Sequence, residues 1–325
     1  MLPLASFFDA VDEFFSSLAE VRWGPLALGL LSFGIYLTLR SRAYFNVLRA
    51  AYPDARIRWR EIWGAYVAAY GFNNVVPARG GDVIKAFLVR SSVPGSSYPA
   101  VGASFFVEAV FDGVMAIPIA IYAFTRGVFP KPPDFASLDA FDLSFFASHM
   151  RFTLFLLTAI AFLILIGIAL LSRRVKLFWA RVRQGLIILR DRPRYLRQVF
   201  RIQFVGWLFR FFAFWMLLEA FNIGGSVGNV LLVLGVNVVA ALVPISPGGA
   251  GVQQAFLVSV FGGAAAAYSV GQQIAIAVFS LGMGFVAIVF VFRFRSFKEV
   301  IHAGREARAA EKEAEAAATR SAASP

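Results

Sequence analysis

The 325 residues are 59% hydrophobic and only 15% charged, with a mean hydropathy of +0.71, whereas a soluble domain sits near half apolar and a quarter charged, so the composition excludes a water-soluble enzyme and leaves an integral membrane protein. The net charge of +12 would suit nucleic acid, but in a membrane protein basic residues gather in cytoplasmic loops, and no nucleic-acid partner is expected. With no cysteine and only His149 and His302, disulfides, thiolate chemistry and a His-rich metal site are excluded as well, and no cofactor is expected.

Residues 1–22 carry Asp9, Asp12, Glu13 and Glu20 against the single basic Arg22, which is the wrong polarity for a signal peptide. Leu4, Phe7, Phe8, Val11, Phe14, Phe15 and Leu18 recur at helical spacing and predict an amphipathic helix on the extracytoplasmic membrane surface. Residues 23–39 form the first apolar span. The stretch 40–60 holds Arg40, Arg42, Arg49, Arg56, Arg58 and Arg60 against Asp54, which predicts a cytoplasmic loop and an N-terminus outside. Residues 62–90 are apolar but broken. A second span, 98–124, contains Glu108 and Asp112, and the neutral loop 125–151 suits the outside. The clean apolar run 152–171 is a connecting span. Ten Lys/Arg against Asp191 in 173–201 mark a cytoplasmic basic helix apposed to anionic lipid. Span 202–221 carries Arg210 and Glu219, residues 228–262 are broken like 62–90, and 271–292 is the last span. The tail 296–325 is charged, Ala-rich and partly disordered on the cytoplasmic side.

The two broken stretches match each other. Val76-Pro77, Gly80-Gly81 and then Ala86-Phe87-Leu88-Val89 are echoed by Val243-Pro244, Gly248-Gly249 and Ala255-Phe256-Leu257-Val258. Gly/Pro-interrupted apolar segments at corresponding places in two halves point to a transporter's binding site. Reading each as a hairpin that enters and leaves on one side puts every basic loop in the cytoplasm. The expected fold is therefore an all-α polytopic membrane protein. Two span–hairpin–span units form an inverted repeat joined by 152–171, giving five full spans plus two re-entrant hairpins within a membrane domain of 23–295.

Charges at membrane depth cost about 2.5–3.5 kcal/mol each on insertion scales, so they are functional candidates unless paired. Allocating all charges to loops leaves Arg79, Lys85, Arg90 and Arg210 with Asp82, Glu108, Asp112 and Glu219. Glu108 and Asp112 stand at i, i+4 on one helical face and require a cation between them, or a proton on one; they form a charge network and a possible proton carrier. Pro77, Gly80 and Gly81, and Pro247, Gly248 and Gly249, are the hairpin breaks. The substrate-binding candidates are Asn73, Asn74, Arg79, Asp82, Lys85 and Arg210 with Asn237, Ser246, Gln253 and Gln254. A short helix starting near Asp82 would present its N-terminal N–H groups beside Arg79 to an anion. The run Gly248 to Gly251 lacks the spacing of a nucleotide-binding loop.

Asn74 with Pro77, Gly81-Asp82 with Lys85, Glu108 with Asp112, and Pro247-Gly248-Gly249 with Gly251-Val252 together resemble the flippase-like membrane region of the lysylphosphatidylglycerol synthase family and its stand-alone relatives. The resemblance covers roughly 25–295. It implies a prokaryotic inner-membrane protein that moves phospholipid or other lipid-linked anions between leaflets. Ala109, where the family suggests Arg, and Gln254, where it suggests Glu, both remove charge from the cavity, and the family's extra first span is replaced by the amphipathic N-terminus. The tail is too short for the synthase's catalytic domain, so aminoacyl transfer is not expected. The function read from the sequence is a lipid flippase or permease rather than an enzyme. Its alternatives are an intramembrane enzyme acting on a lipid-linked phosphate or sugar, with Glu108 and Asp112 as acid and base, and a non-transporting partner of lipid-synthesis enzymes. The oligomeric state is not written in the sequence.

Overall fold

The computed structural model describes residues 20–74, 76, 80–126, 178–241, 252–261, 265–294 and 306. Residues 1–19 of the surface helix expected in 1–22, the connecting span 152–171, nearly all of the loop 125–151 and nearly all of the tail lie outside them. Among the described residues the chain forms helices and turns and no strand. Eight principal helices follow in order: α1 (Trp23–Ala51), α2 (Trp59–Asn73), α3 (Gly80–Ser92), α4 (Tyr98–Thr125), α5 (Arg201–Ala220), α6 (Val227–Ala241), α7 (Val252–Phe261) and α8 (Ala265–Phe290). Among the described residues three helices are long and apolar enough to cross a membrane: Tyr98–Thr125, Arg192–Ala220 and Ala267–Phe290. The protein is an all-helical integral membrane protein.

Local chemistry sets the helix ends. Pro53 follows α1, and Tyr52 before it leaves the helical region at φ −134° and ψ 71°. Pro99 opens α4, where its missing N–H is not needed, while Pro118 breaks one hydrogen bond further along. After α5 the chain turns through Asn222 at φ 58°, and the Ile223 N–H bonds back to the Leu218 carbonyl at 3.0 Å. That left-handed cap is the type Asn tolerates.

One expectation changes. The arginines at 40–49 do not begin a loop, because α1 runs unbroken to Ala51. The reason is packing: Ala43, Tyr44, Val47, Leu48 and Ala51 keep the helical period and are all buried, so the helix continues beneath its arginines.

The longest packing seam joins α1 to α5. Along it the register runs backwards: Arg22 N–H bonds to the Ala220 carbonyl, the Ser32 hydroxyl to the Phe209 carbonyl, and the Asn46 amide to the Gln198 carbonyl. The two helices are therefore antiparallel. Gly29 faces Ala213, Met216 and Leu217, and Gly206 faces Tyr36 and Leu39, so each helix admits the other's backbone on either side of the Ser32 contact.

The remaining seams come in matching pairs. α2 packs on α8 as α6 packs on α4, α2 on α3 as α6 on α7, and α3 on α4 as α7 on α8. Gly71 makes the first of these possible, since a Cβ there would meet the Ser280 carbonyl at 2.7 Å; Gly235 does the same against Ala123 at 2.6 Å. One core cluster centres on Tyr44, Leu37, Ile62, Leu88, Leu217 and Tyr268. A smaller one joins Ala43 and Val47 of α1 and Val107 of α4 to Ile188, Tyr195 and Val199, which precede α5.

Candidate functional site

Glu108 and Asp112 lie one turn apart on α4, as their spacing requires, and a cation does sit against both. It is Arg40, carried in by the unbroken α1. Its guanidinium grips Asp112 with two bonds, Nη1 to Oδ1 at 2.6 Å and Nη2 to Oδ2 at 2.9 Å, and Nη2 lies 3.8 Å from Glu108 Oε1. The planar fork of arginine matches a carboxylate in this way. The other Glu108 oxygen accepts from Lys85 Nζ at 2.5 Å. Asp112, Arg40, Glu108 and Lys85 thus form one alternating row of two anions and two cations, held by α1, α3 and α4.

The row is secluded except at one end. The side chains of Arg40, Glu108 and Lys85 are each under a tenth exposed, whereas that of Asp112 is 49% exposed. The Lys85 ammonium lies 4.0 to 4.4 Å from the ring centres of Tyr44, Tyr66 and Phe105. Three aromatic faces around a desolvated ammonium add cation–π attraction to the ion pair. Tyr44 is held in place by a 2.9 Å hydrogen bond with Ser104.

The first hairpin is stapled at its tip. Asn73 Oδ1 accepts from the Gly81 N–H at 2.8 Å, and its amide donates to Asp82 at 3.1 Å. Gly81 has to be glycine, because a Cβ would meet both the Ala69 carbonyl and the Asn73 side chain; at Gly80 a Cβ would meet only the flexible Val76 side chain. Asn74 donates to the Tyr70 carbonyl and to Ser280 of α8, both at 3.0 Å. These residues close the hairpin and lock it to α8. The second hairpin has its own amide staple, Gln253 donating to Asn237 at 2.7 Å.

A correspondence between the halves appears one turn further on. In the first half Lys85 on α3 reaches Glu108 on the next helix, α4. In the second half Gln254 on α7 reaches Gln273 on the next helix, α8, at 3.2 Å. A charged pair and a neutral amide pair occupy equivalent seams.

Arg210 stands apart from the row. Its guanidinium lies over the rings of Tyr36 at 5.7 Å and Phe214 at 5.8 Å, and Arg40 lies 5.8 Å from the same Tyr36 ring. Among the described residues no carboxylate lies within ion-pairing distance of Arg210. Glu219, the one acid of α5, is engaged at the helix end by Arg22 at 3.3 Å and by the Gly225 N–H at 2.8 Å. Arg79, Ser246, Pro77, Pro247, Gly248 and Gly249 lie outside the described residues.

Sequence reasoning missed Arg40, the amide partner Gln273, the Ser280 anchor and the aromatic box. Arg40 could have been found, since Tyr36, Arg40 and Tyr44 share one helical stripe with the buried Phe33, Leu37 and Leu48. Which helices meet α4 is a tertiary fact with no local signature.

Buried cations matched to buried carboxylates, glycine-mediated helix seams and amide-stapled hairpins define a polytopic α-helical membrane protein with a polar core. The chain belongs to the lysylphosphatidylglycerol synthase transmembrane-region family, whose model matches residues 4–291. That membership ties it to the lipids of the membrane it sits in. No curated protein and no solved structure matches the chain.

Proposed function

We propose that the protein is a lipid flippase or permease that moves an anionic phospholipid or lipid-linked anion between leaflets, and that it is not an enzyme. The observation that carries this reading is the unequal fate of the cations within the apolar helices. Arg40 and Lys85 are neutralised by Asp112 and Glu108. Arg210, roughly 15 Å from the Ala220 end of its helix at 1.5 Å per residue, lies against the rings of Tyr36 and Phe214 and, among the described residues, has no carboxylate within ion-pairing distance. A cation at mid-membrane depth without a carboxylate is stabilised by an anion that visits it. Arg79 is the second headgroup ligand in this reading, and Asn237, Gln253 and Gln254 line the neutral side.

The same pairings support an inverted-repeat architecture, with α1, α2–α3 hairpin and α4 as one unit and α5, α6–α7 hairpin and α8 as the other. Their first helices are antiparallel, and their seams correspond pair by pair. The substrate path then lies between the units, as in secondary transporters. The engagement of Glu108 and Asp112 by Arg40 and Lys85 speaks for a positioning role and against acid–base chemistry on a lipid-linked substrate. The positive-inside pattern supports an N-terminus outside and a C-terminus inside, and the family resemblance supports a prokaryotic cytoplasmic membrane.

The test is headgroup translocation of fluorescent phosphatidylglycerol in vesicles containing the purified protein, read by protection from an impermeant quencher. Losing one charge-assisted contact of about 1.5–3 kcal/mol should slow Arg210→Ala by at least about tenfold, while Arg210→Lys retains most of the rate. Equal rates for Arg210→Ala and the unaltered protein would remove the site assignment.

A further inference from the structure

The translocation reading leaves the basic run before α5 unused. Helix 178–185, the turn Ile187–Arg190, the single turn Arg192–Tyr195 and the wide turn Leu196–Phe200 are anchored on one side only. Gly185 abuts the Ala100 carbonyl, Gln184 donates to the Ala51 carbonyl at 3.0 Å, and Ile188, Tyr195 and Val199 enter the core beside Val107. The other side carries exposed Arg183, Arg190, Arg192, Arg197 and Arg201. Among them stand large apolar side chains: Phe178 is 49% exposed, Trp179 54% and Leu196 54%. Asp191 is the sole acid of this segment, and its carboxylate accepts from the Arg194 N–H at 3.0 Å.

Depth follows from length. The 20 residues of α5 span about 30 Å, the thickness of a bilayer's hydrocarbon core. With the Ala220 end at one boundary of that core, Arg201 is at the other, and the run before it occupies the headgroup zone. Arginines interleaved with exposed aromatic and leucine side chains at that depth form the composition of an interfacial lipid-binding helix.

We infer that residues 178–201 form a docking platform for anionic phospholipid, with the arginines on headgroup phosphates and Phe178, Trp179 and Leu196 seated among acyl chains. The occupant is fixed by charge complementarity and by the apolar side chains, which a nucleic acid or an acidic protein surface would leave in water. The platform is independent of transport, so it stands or falls separately from the role of Arg210.

Trp179 is its reporter. A variant keeping Trp179, with Trp23, Trp59, Trp63, Trp207 and Trp215 changed to Phe, is reconstituted in phosphatidylcholine vesicles containing a minor fraction of brominated phosphatidylglycerol or brominated phosphatidylcholine. Quenching by the brominated anionic lipid should exceed that by the zwitterionic lipid by about twofold or more, reflecting the attraction of basic side chains for an anionic surface. The excess should vanish when Arg190, Arg192, Arg194 and Arg197 are changed to Gln, and should persist in Arg210→Ala. Equal quenching by the two lipids, an excess that survives the four substitutions, or an excess abolished by added duplex DNA would overturn the proposal. If the single-tryptophan variant does not fold, retention of phosphatidylglycerol in native mass spectra decides: the unaltered chain should hold more than the four-Gln variant, and equal retention counts against the platform.

Discussion

The Ser32 hydroxyl donates to the Phe209 carbonyl at 2.9 Å where α1 and α5 cross, with Gly29 on one side of the contact and Gly206 on the other. In each case a Cβ would lie 3.2–3.3 Å from the facing helix, on Ala213, Met216 and Leu217 for Gly29 and on Leu39 for Gly206. Gly29→Leu and Gly206→Leu should therefore destabilise by similar amounts, about 1–3 kcal/mol each, by forcing the helices apart. Gly102→Ala on α4, where nothing lies within 4 Å, should leave stability unchanged or raise it by up to about 1 kcal/mol through helix propensity. Thermal unfolding in one detergent distinguishes them, and a large loss for Gly102→Ala would contradict the packing described.

Removing one member of a buried ion pair leaves the other charge stranded, at a cost of about 3–5 kcal/mol. Lys85→Met should be destabilising on this scale, because Glu108 then keeps only the 3.8 Å approach of Arg40. Lys85→Met combined with Glu108→Leu should recover a large part of the loss. A double variant as unstable as the sum of its parts would show that the pair is not the unit of stability.

The seam correspondence between Lys85–Glu108 and Gln254–Gln273 can be probed by transplanting the charged pair. Gln254→Lys and Gln273→Glu should each lower the unfolding midpoint, since each places one charge in a neutral seam. Together they should be better tolerated than either alone, with a coupling of about 1 kcal/mol or more in a double-mutant cycle. Additive effects would mean that the two amides are not close enough to exchange a proton-bearing pair for a charged one.

Asn73 serves the hairpin tip twice, accepting from the Gly81 N–H and donating to Asp82. Asn73→Ala should cost about 0.5–2 kcal/mol, in the range of a lost helix cap. The change should be local: faster amide exchange at Gly81 and the first turn of α3, with α1 and α5 unaffected. Faster exchange spread over the whole bundle would argue that Asn73 holds more than the tip.

Much of this fold is legible in the sequence because burial in lipid leaves so few ways to arrange a chain. The spans at 98–124, 202–221 and 271–292 were readable as long apolar runs, and the paired breaks marked where α2 gives way to α3 and α6 to α7. Glu108 and Asp112 announced that a cation must stand beside them. Its identity was hidden because Arg40 sits in an arginine-rich stretch that looks like a loop by charge count; only the periodicity of Tyr36, Ala43, Tyr44 and Val47 says otherwise. Lys85 was found as a buried cation, but its aromatic box was not, because Tyr44, Tyr66 and Phe105 come from three different helices. Pairings across helices depend on how glycine seams bring them together, and Gly71 against Ser280 has no signature along the chain.

The Ser32 contact lies about 13 Å from one end of α1 and about 28 Å from the other, at 1.5 Å per residue, and close to the middle of α5. The crossing at Ser32 is the natural pivot for any tilt between the two helices. Any tilt of α1 about Ser32 carries Trp23 and Tyr52 in opposite directions, and Arg40, about 12 Å beyond Ser32 at 1.5 Å per residue, moves about as far as Trp23 does the other way. A rotation at the glycine seam therefore reaches the buried row of charges, and parting the helices on one side of Ser32 draws them together on the other.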